Sequence, residues 1–338
     1  MSARPLVRFA AGDVAATAHY YPHSFDAAGD RVMLIRLSEA DYNAASFLDQ
    51  RVLTPAMRGT WIPFAEVAAM AHLIQKKPLN FIFHTGHVGS TLLSRLFDQA
   101  PGVLGLREPV PLRVLADMLE SGMPRKAFAE RLDALLALLS RGFARTKAVI
   151  IKPTSFVGRI APQLLAAAPE ARAVYLNLRP ESAITALLAA SGGDDDLRLF
   201  AAMRGKRLEK LLGEPFEQPS STGELAAIAW LVERAAQLAV KKNARALLLD
   251  FETLLADLEQ GLSRIAVHFG MPAESGAALA ASPVLNQYSK APTRLGFSPA
   301  DRVKMMARAR LQHGAEVDKG LALLESLSRH KPVAKLLN

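Results

Sequence analysis

From Lys76 to Phe251 one texture recurs in the chain. Short apolar runs, LNFIFHT, VLGL, KAVIIKP, RAVYLNL and ARALLLDF, alternate with stretches whose apolar residues fall at helical spacing. Unalternated runs of this length, rich in branched and aromatic residues, read as strands buried on both faces. Parallel neighbours need a crossover, and a helix is the usual one. The expected fold class is therefore α/β, with a mostly parallel central sheet flanked by helices. Helical patterns occur in GSTLLSRLFDQA, PRKAFAERLDALLALLSRGFA, VGRIAPQLLAAA, PESAITALLAA, GELAAIAWLVERAAQLAVKK and TLLADLEQGLSRIAVHFG. The last ends at Gly270 with Pro272 beyond, a stop signal. From Pro299 the tail is mostly helical. The expected division is an appended N-terminal segment, 1–75, and an α/β domain with a helical tail, 76–338. In the first segment RVMLIRLS reads as a strand, SFLDQRVLT and PFAEVAAMAHLIQ read as helix-like, and no chemical motif is visible.

Composition narrows the function classes. With no cysteine, disulfides, thiolate metal sites and cysteine nucleophiles are excluded. The net charge of +9 favours anionic partners. Basic residues are scattered and aromatic residues make up only 7%, so the interleaved pattern of a nucleic-acid binder is missing and no nucleic-acid partner is expected. No stretch reaches the roughly 18 apolar residues of a membrane span, and the N-terminus lacks an apolar core of signal length. A cytoplasmic protein is expected. The acidic SGGDDD, Ser191 to Asp196, reads as a solvated loop before a helix rather than a metal site, and no metal is expected.

The chemistry-bearing stretch is FIFHTGHVGSTLLSRLF, Phe81 to Phe97. An apolar strand runs into a loop containing Gly86, His87, Val88 and Gly89, and Ser90 and Thr91 open a helix. Free N–H groups and the positive end of the dipole make such a helix start an anion site. Glycine lets the backbone approach a phosphate closely. A kinase-type loop would carry Lys before the hydroxyl residue, for the β,γ-phosphates, and here Gly89 is followed directly by Ser90.

This stretch resembles the 5′-phosphosulfate loop of the sulfotransferases, which use 3′-phosphoadenosine-5′-phosphosulfate (PAPS). ALLLDFETLLADLEQGLSRIAVHFGMP, Ala246 to Pro272, is similar to a second block of that family, and AVYLNLRP resembles the element leading to its 3′-phosphate site. The likeness covers about Lys76 to Met271, with a weaker extension through QYSKAPTR. It implies a P-loop NTPase-like sulfotransferase fold, PAPS as cofactor, and transfer to a small-molecule, carbohydrate or lipid acceptor. It also implies nucleotide binding by Gly86, His87, Val88, Gly89, Ser90 and Thr91. His87 stands where many members carry Arg or Lys. Aligned on Pro180, Leu178 and Ala186 occupy the places of the family's 3′-phosphate Arg and Ser, so Arg179, Ser182 and Thr185 are the nearby candidates. Lys290 and Arg294 stand in for the late Arg-Lys-Gly run that is absent here.

Sulfuryl transfer needs a deprotonated acceptor oxygen and positive charge on the transferring group. Lys152 follows an apolar strand, where ligands of open α/β sheets bind, and is the candidate charge. The catalytic His found two residues later in many small-molecule enzymes is here Thr154. Glu108, after VLGL, is then the candidate base, with His84 and His87 as rivals. Asp250 and Glu252 read as structural. Two other functions stay open: a kinase-like phosphotransferase with Asp250 holding magnesium, and a non-catalytic nucleotide- or RNA-binding protein.

Overall fold

The computed structural model describes residues 10–288 and 298–337. The five apolar runs form β4 (Leu79–His84), β5 (Val103–Arg107), β6 (Ala148–Lys152), β7 (Arg172–Asn177) and β8 (Ala246–Asp250). They follow a three-stranded antiparallel sheet of β1 (Tyr20–Asp26), β2 (Arg31–Arg36) and β3 (Gly59–Pro63), in the order β1-β2-β3. The five-stranded sheet has the order β5-β6-β4-β7-β8 and is flanked by helices, so the fold class is the α/β one expected.

The chain divides into two compact units. The first comprises the chain up to Ile82 together with Thr91–Ala173, and the second Phe83–Ser90, Val174–Tyr288 and the C-terminal helices. In the first, β5 and β6 pair in parallel from Val103↔Ala148 to Arg107↔Lys152, and Leu79↔Val149 to Phe81↔Ile151 pair β4 with β6. The inner faces are buried Leu104, Leu106, Val149, Ile150 and Ile151. The antiparallel sheet is tied to this unit by buried Arg141, which donates to the carbonyls of Val14 and Tyr20. In the second unit the helix Thr222–Ala239 is buried through most of its length and packs against the helices Pro180–Leu188 and Gly314–Leu327.

Several local expectations are corrected. SFLDQRVLT is one 3-10 turn, Gln50–Val52, because the Asp49 carboxylate accepts from the Arg51 N–H at 3.0 Å and closes a side-chain turn. PFAEVAAMAHLIQ gives the helix Phe64–Ala71 only. TLLADLEQGLSRIAVHFG is two helices, Phe251–Ala256 and Leu258–His268, broken at Asp257, which caps the second by accepting from Gln260 N–H at 3.1 Å. VGRIAPQLLAAA starts as a 3-10 helix, Ser155–Ile160, before the α-helix Ala161–Ala167. The acids of SGGDDD lie in the first turn of the helix Gly193–Leu199, where negative charge suits the dipole. Strands β1 and β3 and the helices Val110–Glu120 and Ala201–Leu212 were not anticipated.

Candidate functional site

Strand β4 ends at His84, and the helix Ser90–Phe97 begins six residues later. Between them Gly86, His87 and Gly89 have φ of 100°, 50° and 75°. His87 is not glycine, so its left-handed backbone is costly and must be held by its surroundings. Buried Val88 anchors the loop from below. The Gly86 N–H donates to His84 Nδ1 at 3.1 Å, so that ring nitrogen serves as an acceptor. At the strand end, the Thr85 hydroxyl donates to Asn177 Oδ1 at 3.0 Å. Trp230 Nε1–H reaches the same oxygen at 3.1 Å and the Leu178 carbonyl at 3.0 Å. These buried bonds fix the start of the loop against the end of β7.

Ser90 and Thr91 are buried, at 4% and 5% exposure, and bring two hydroxyl donors to the start of the helix. The first four N–H groups of the helix they open lack intrahelical acceptors. A buried donor without a partner is costly unless a ligand or water satisfies it. The loop thus gathers donors of the kind an oxyanion takes. A Cβ built on Gly89 would stand 2.0 Å from Cζ of the Phe251 ring, so this glycine is required by packing as well as by its positive φ. Phe251 opens a helix capped by Asp250, whose Oδ1 accepts from the Thr253 N–H at 2.9 Å. The Arg302 guanidinium stacks 5.2 Å from the Phe251 ring centre. Burial pulls its proton affinity below the ordinary arginine value, against the opposing pull of Glu252 and Asp250.

Arg179 stands at the start of the helix Pro180–Leu188 without a side-chain capping bond and is exposed. The Ser182 hydroxyl donates to Glu252 at 2.6 Å. Thr185 is buried, and its hydroxyl donates back to the Glu181 carbonyl at 2.8 Å, so it serves its own helix. Lys290 and Arg294 lie outside the described residues.

In the first unit the structure brings Glu108 and Lys152 together. Arg107 and Lys152 are register partners, and the Glu108 N–H donates to the Lys152 carbonyl at 2.6 Å. Lys152 Nζ donates to Glu108 Oε1 at 2.5 Å; the lysine side chain is 1% exposed and the glutamate 16%. Glu108 has a φ of 59°, the left-handed region again. Beneath it Arg107 is fully buried, paired with Asp98 at 2.7 Å, and donates to the carbonyls of Tyr42 and Ala45. Burial pushes the Asp98 carboxyl up, and Arg107 opposes that shift. Lys152 keeps two more N–H donors, and the carboxylate keeps further lone pairs, so the pair can still take both an anion and a proton. The Thr154 hydroxyl is buried and has no partner among the described residues.

The sequence reading missed Arg51. Its Nη2 lies 3.3 Å from Glu108 Oε2, and it also pairs with Asp49 at 2.5 Å. The only local signal was the i, i+2 charge pair in Asp49-Gln50-Arg51, which is common in turns.

No family model matches the chain, and no curated protein does. Among solved structures the chain is similar to several sulfotransferases. One is the sulfotransferase domain from the curacin biosynthetic pathway, at 15% identity over 71% of this chain and 98% of that one, with a TM-score of 0.37. Another is sulfotransferase STF9 from Mycobacterium avium, at 13% identity over 72% and 78%, with a TM-score of 0.40. A third is a mouse sulfotransferase complexed with PAP, at 13% identity over 73% and 88%, with a TM-score of 0.33. The fold assignment rests on the strand order and register described above. Among the described residues no helix is long and apolar enough to cross a membrane.

Proposed function

We propose that the protein is a PAPS-dependent sulfotransferase that sulfates a hydroxyl or amine of a small-molecule, carbohydrate or lipid acceptor in the cytoplasm. The observation that carries this reading is the loop 85–91. It has three residues at positive φ, two hydroxyl residues that are buried at a helix start, and no lysine. Such a loop fits a phosphosulfate, which has no β,γ-phosphate pair for a lysine to hold. PAPS, when bound, supplies the sulfuryl group and leaves as the 3′,5′-bisphosphate.

In this reading the amides of 87–89 and the hydroxyls of Ser90 and Thr91 hold the 5′-phosphosulfate, Gly86 lets the backbone approach it, and His87 adds a donor. Arg179, two residues beyond β7 and exposed, takes the 3′-phosphate, with Lys290 and Arg294 as further basic candidates. Glu108 accepts the proton of the acceptor O–H or N–H. The acceptor atom forms its bond to sulfur as the bond from sulfur to the bisphosphate oxygen breaks. Lys152 offers N–H donors to the oxygens that gain charge. A phosphotransferase would need a magnesium carboxylate, and the natural candidate, Asp250, is engaged as a helix cap.

The test is transfer of radiolabel from PAPS sulfur to 2-naphthol, N-acetylglucosamine or a sterol, each offered separately in EDTA. Labelled product from any of them supports the reading. No label in any acceptor, with magnesium-dependent transfer of the terminal phosphate of ATP instead, would replace it with the phosphotransferase.

A further inference from the structure

We infer that Arg51 is a positioning residue for the base, acting through Glu108; this rests on the assignment of Glu108 proposed above. The two oxygens of the Glu108 carboxylate are held by different cations. Oε1 takes Lys152 Nζ at 2.5 Å, and Oε2 takes Arg51 Nη2 at 3.3 Å. One cation leaves a carboxylate free to rotate about its last bond, whereas two, one on each oxygen, fix its plane. A fixed plane decides which lone pairs remain for an incoming acceptor.

Arg51 is itself held in a way that suits this role. Its guanidinium is bidentate on Asp49, with Nε to Oδ1 at 2.8 Å and Nη2 to Oδ2 at 2.5 Å. Its flat face lies 3.5 Å from the centre of the buried Phe47 ring. Edge and face are both constrained, and the planar fork keeps that geometry better than a flexible ammonium would. The segment that carries these residues is joined to the strand end: the Leu48 N–H donates to the Arg107 carbonyl at 2.8 Å, one residue before Glu108. The Phe47 ring also lies 5.8 Å from Lys152 Nζ, so a single aromatic side chain sits beside both cations.

A purely structural ion pair would behave differently. The Arg51 side chain is 52% exposed, and pairs so exposed contribute little to stability. Its removal should therefore hardly move the melting temperature, while freeing the carboxylate that does the chemistry.

The experiment uses the full chain and the variants Arg51→Ala, Arg51→Lys, Glu108→Gln and the double variant Arg51→Ala/Glu108→Gln. One readout is the initial rate of sulfuryl transfer from labelled PAPS to 2-naphthol. The other needs no nucleotide: carbodiimide labelling of Glu108, read by peptide mass spectrometry. Arg51→Ala should lower kcat on the order of 10²-fold, with KM for PAPS unchanged. Its melting temperature should fall by no more than about 2–4 °C. Arg51→Lys should recover part of the rate. The double variant should be no slower than Glu108→Gln, because both changes act through one carboxylate. Labelling of Glu108 should speed up several-fold in Arg51→Ala. A wild-type rate in Arg51→Ala, losses that add fully in the double variant, or unchanged labelling would each overturn the inference. If Glu108→Gln keeps the wild-type rate, the base assignment itself is wrong and the inference falls with it. If the wild-type chain transfers no label, the proposed function is at fault, and the labelling arm still decides whether Arg51 holds Glu108.

Discussion

The loop 85–91 and the Glu108 cluster are built in opposite ways. The loop is a run of consecutive residues whose shape comes from glycines, one strained histidine and a helix start. The cluster joins residues 44 and 57 positions apart, and its geometry comes from strand register and from a segment near the N-terminus. The loop gathers N–H and O–H donors at a helix start, whereas in the cluster every charge has a partner of opposite sign. A site with open donors should lose affinity when altered and keep its stability. A paired charge buried as deeply as Lys152 should lose both when removed.

The sharpest way to break that contrast is Lys152→Ala. It removes a cation that is 1% exposed and leaves the Glu108 carboxylate with the exposed Arg51 alone. Breaking a buried pair from one side costs about 3–5 kcal/mol, and losing one preorganised charge slows turnover about 10²–10³-fold. Thermal melts and single-turnover rates should both show it; an unchanged melt would mean that the pair contributes nothing to the fold. Glu108→Gln comes next. Its amide oxygen can still accept from Lys152, so stability should fall less, while turnover falls about 10²–10⁴-fold with nucleotide affinity kept. A near-normal rate here, together with dead His84→Ala or His87→Ala, would move the base to a loop histidine.

Gly89→Ala blurs the contrast from the loop side. The new Cβ would meet the Phe251 ring at 2.0 Å, with φ at 75°. Overpacking of this kind costs about 1–3 kcal/mol, so stability and nucleotide affinity should fall together. Full stability in this variant would show that the ring moves freely. The cleanest loop variants are Ser90→Ala and Thr91→Ala. Each should weaken bisphosphate binding by about 1 kcal/mol in calorimetry and leave the melt unchanged. Unchanged affinity in both would make the loop only a structural turn.

What could be read from the sequence follows the same division. The five strands of the larger sheet were visible as apolar runs; burial along β4 to β7 leaves little else in those four, and β8, half-buried throughout, carries the run ALLL as well. The loop was visible because its residues are neighbours. Strand β1 was hidden by Pro22 and by a register shift between Pro22 and Ser24, which break the alternation that marks a strand. Strand β3, GTWIP, is five residues bounded by Gly and Pro and reads as a turn. The break at Asp257 was masked because apolar spacing runs through it on both sides. Arg51 left no trace: no local pattern says that a turn residue will meet a glutamate 57 positions away. Nor does any local pattern give Glu108 its φ of 59°, which the surrounding hydrogen bonds and ion pairs impose.

The measurement that bears most directly on the account is the melting temperature in EDTA with the 3′,5′-bisphosphate, compared with ATP alone and with ATP plus magnesium. A ligand at about 100 times its dissociation constant adds roughly 2.7 kcal/mol to the folded state. The account predicts a clear, saturable rise with the bisphosphate in the absence of magnesium, reduced in Ser90→Ala. Protection by ATP with magnesium alone, and none by the bisphosphate, would contradict it.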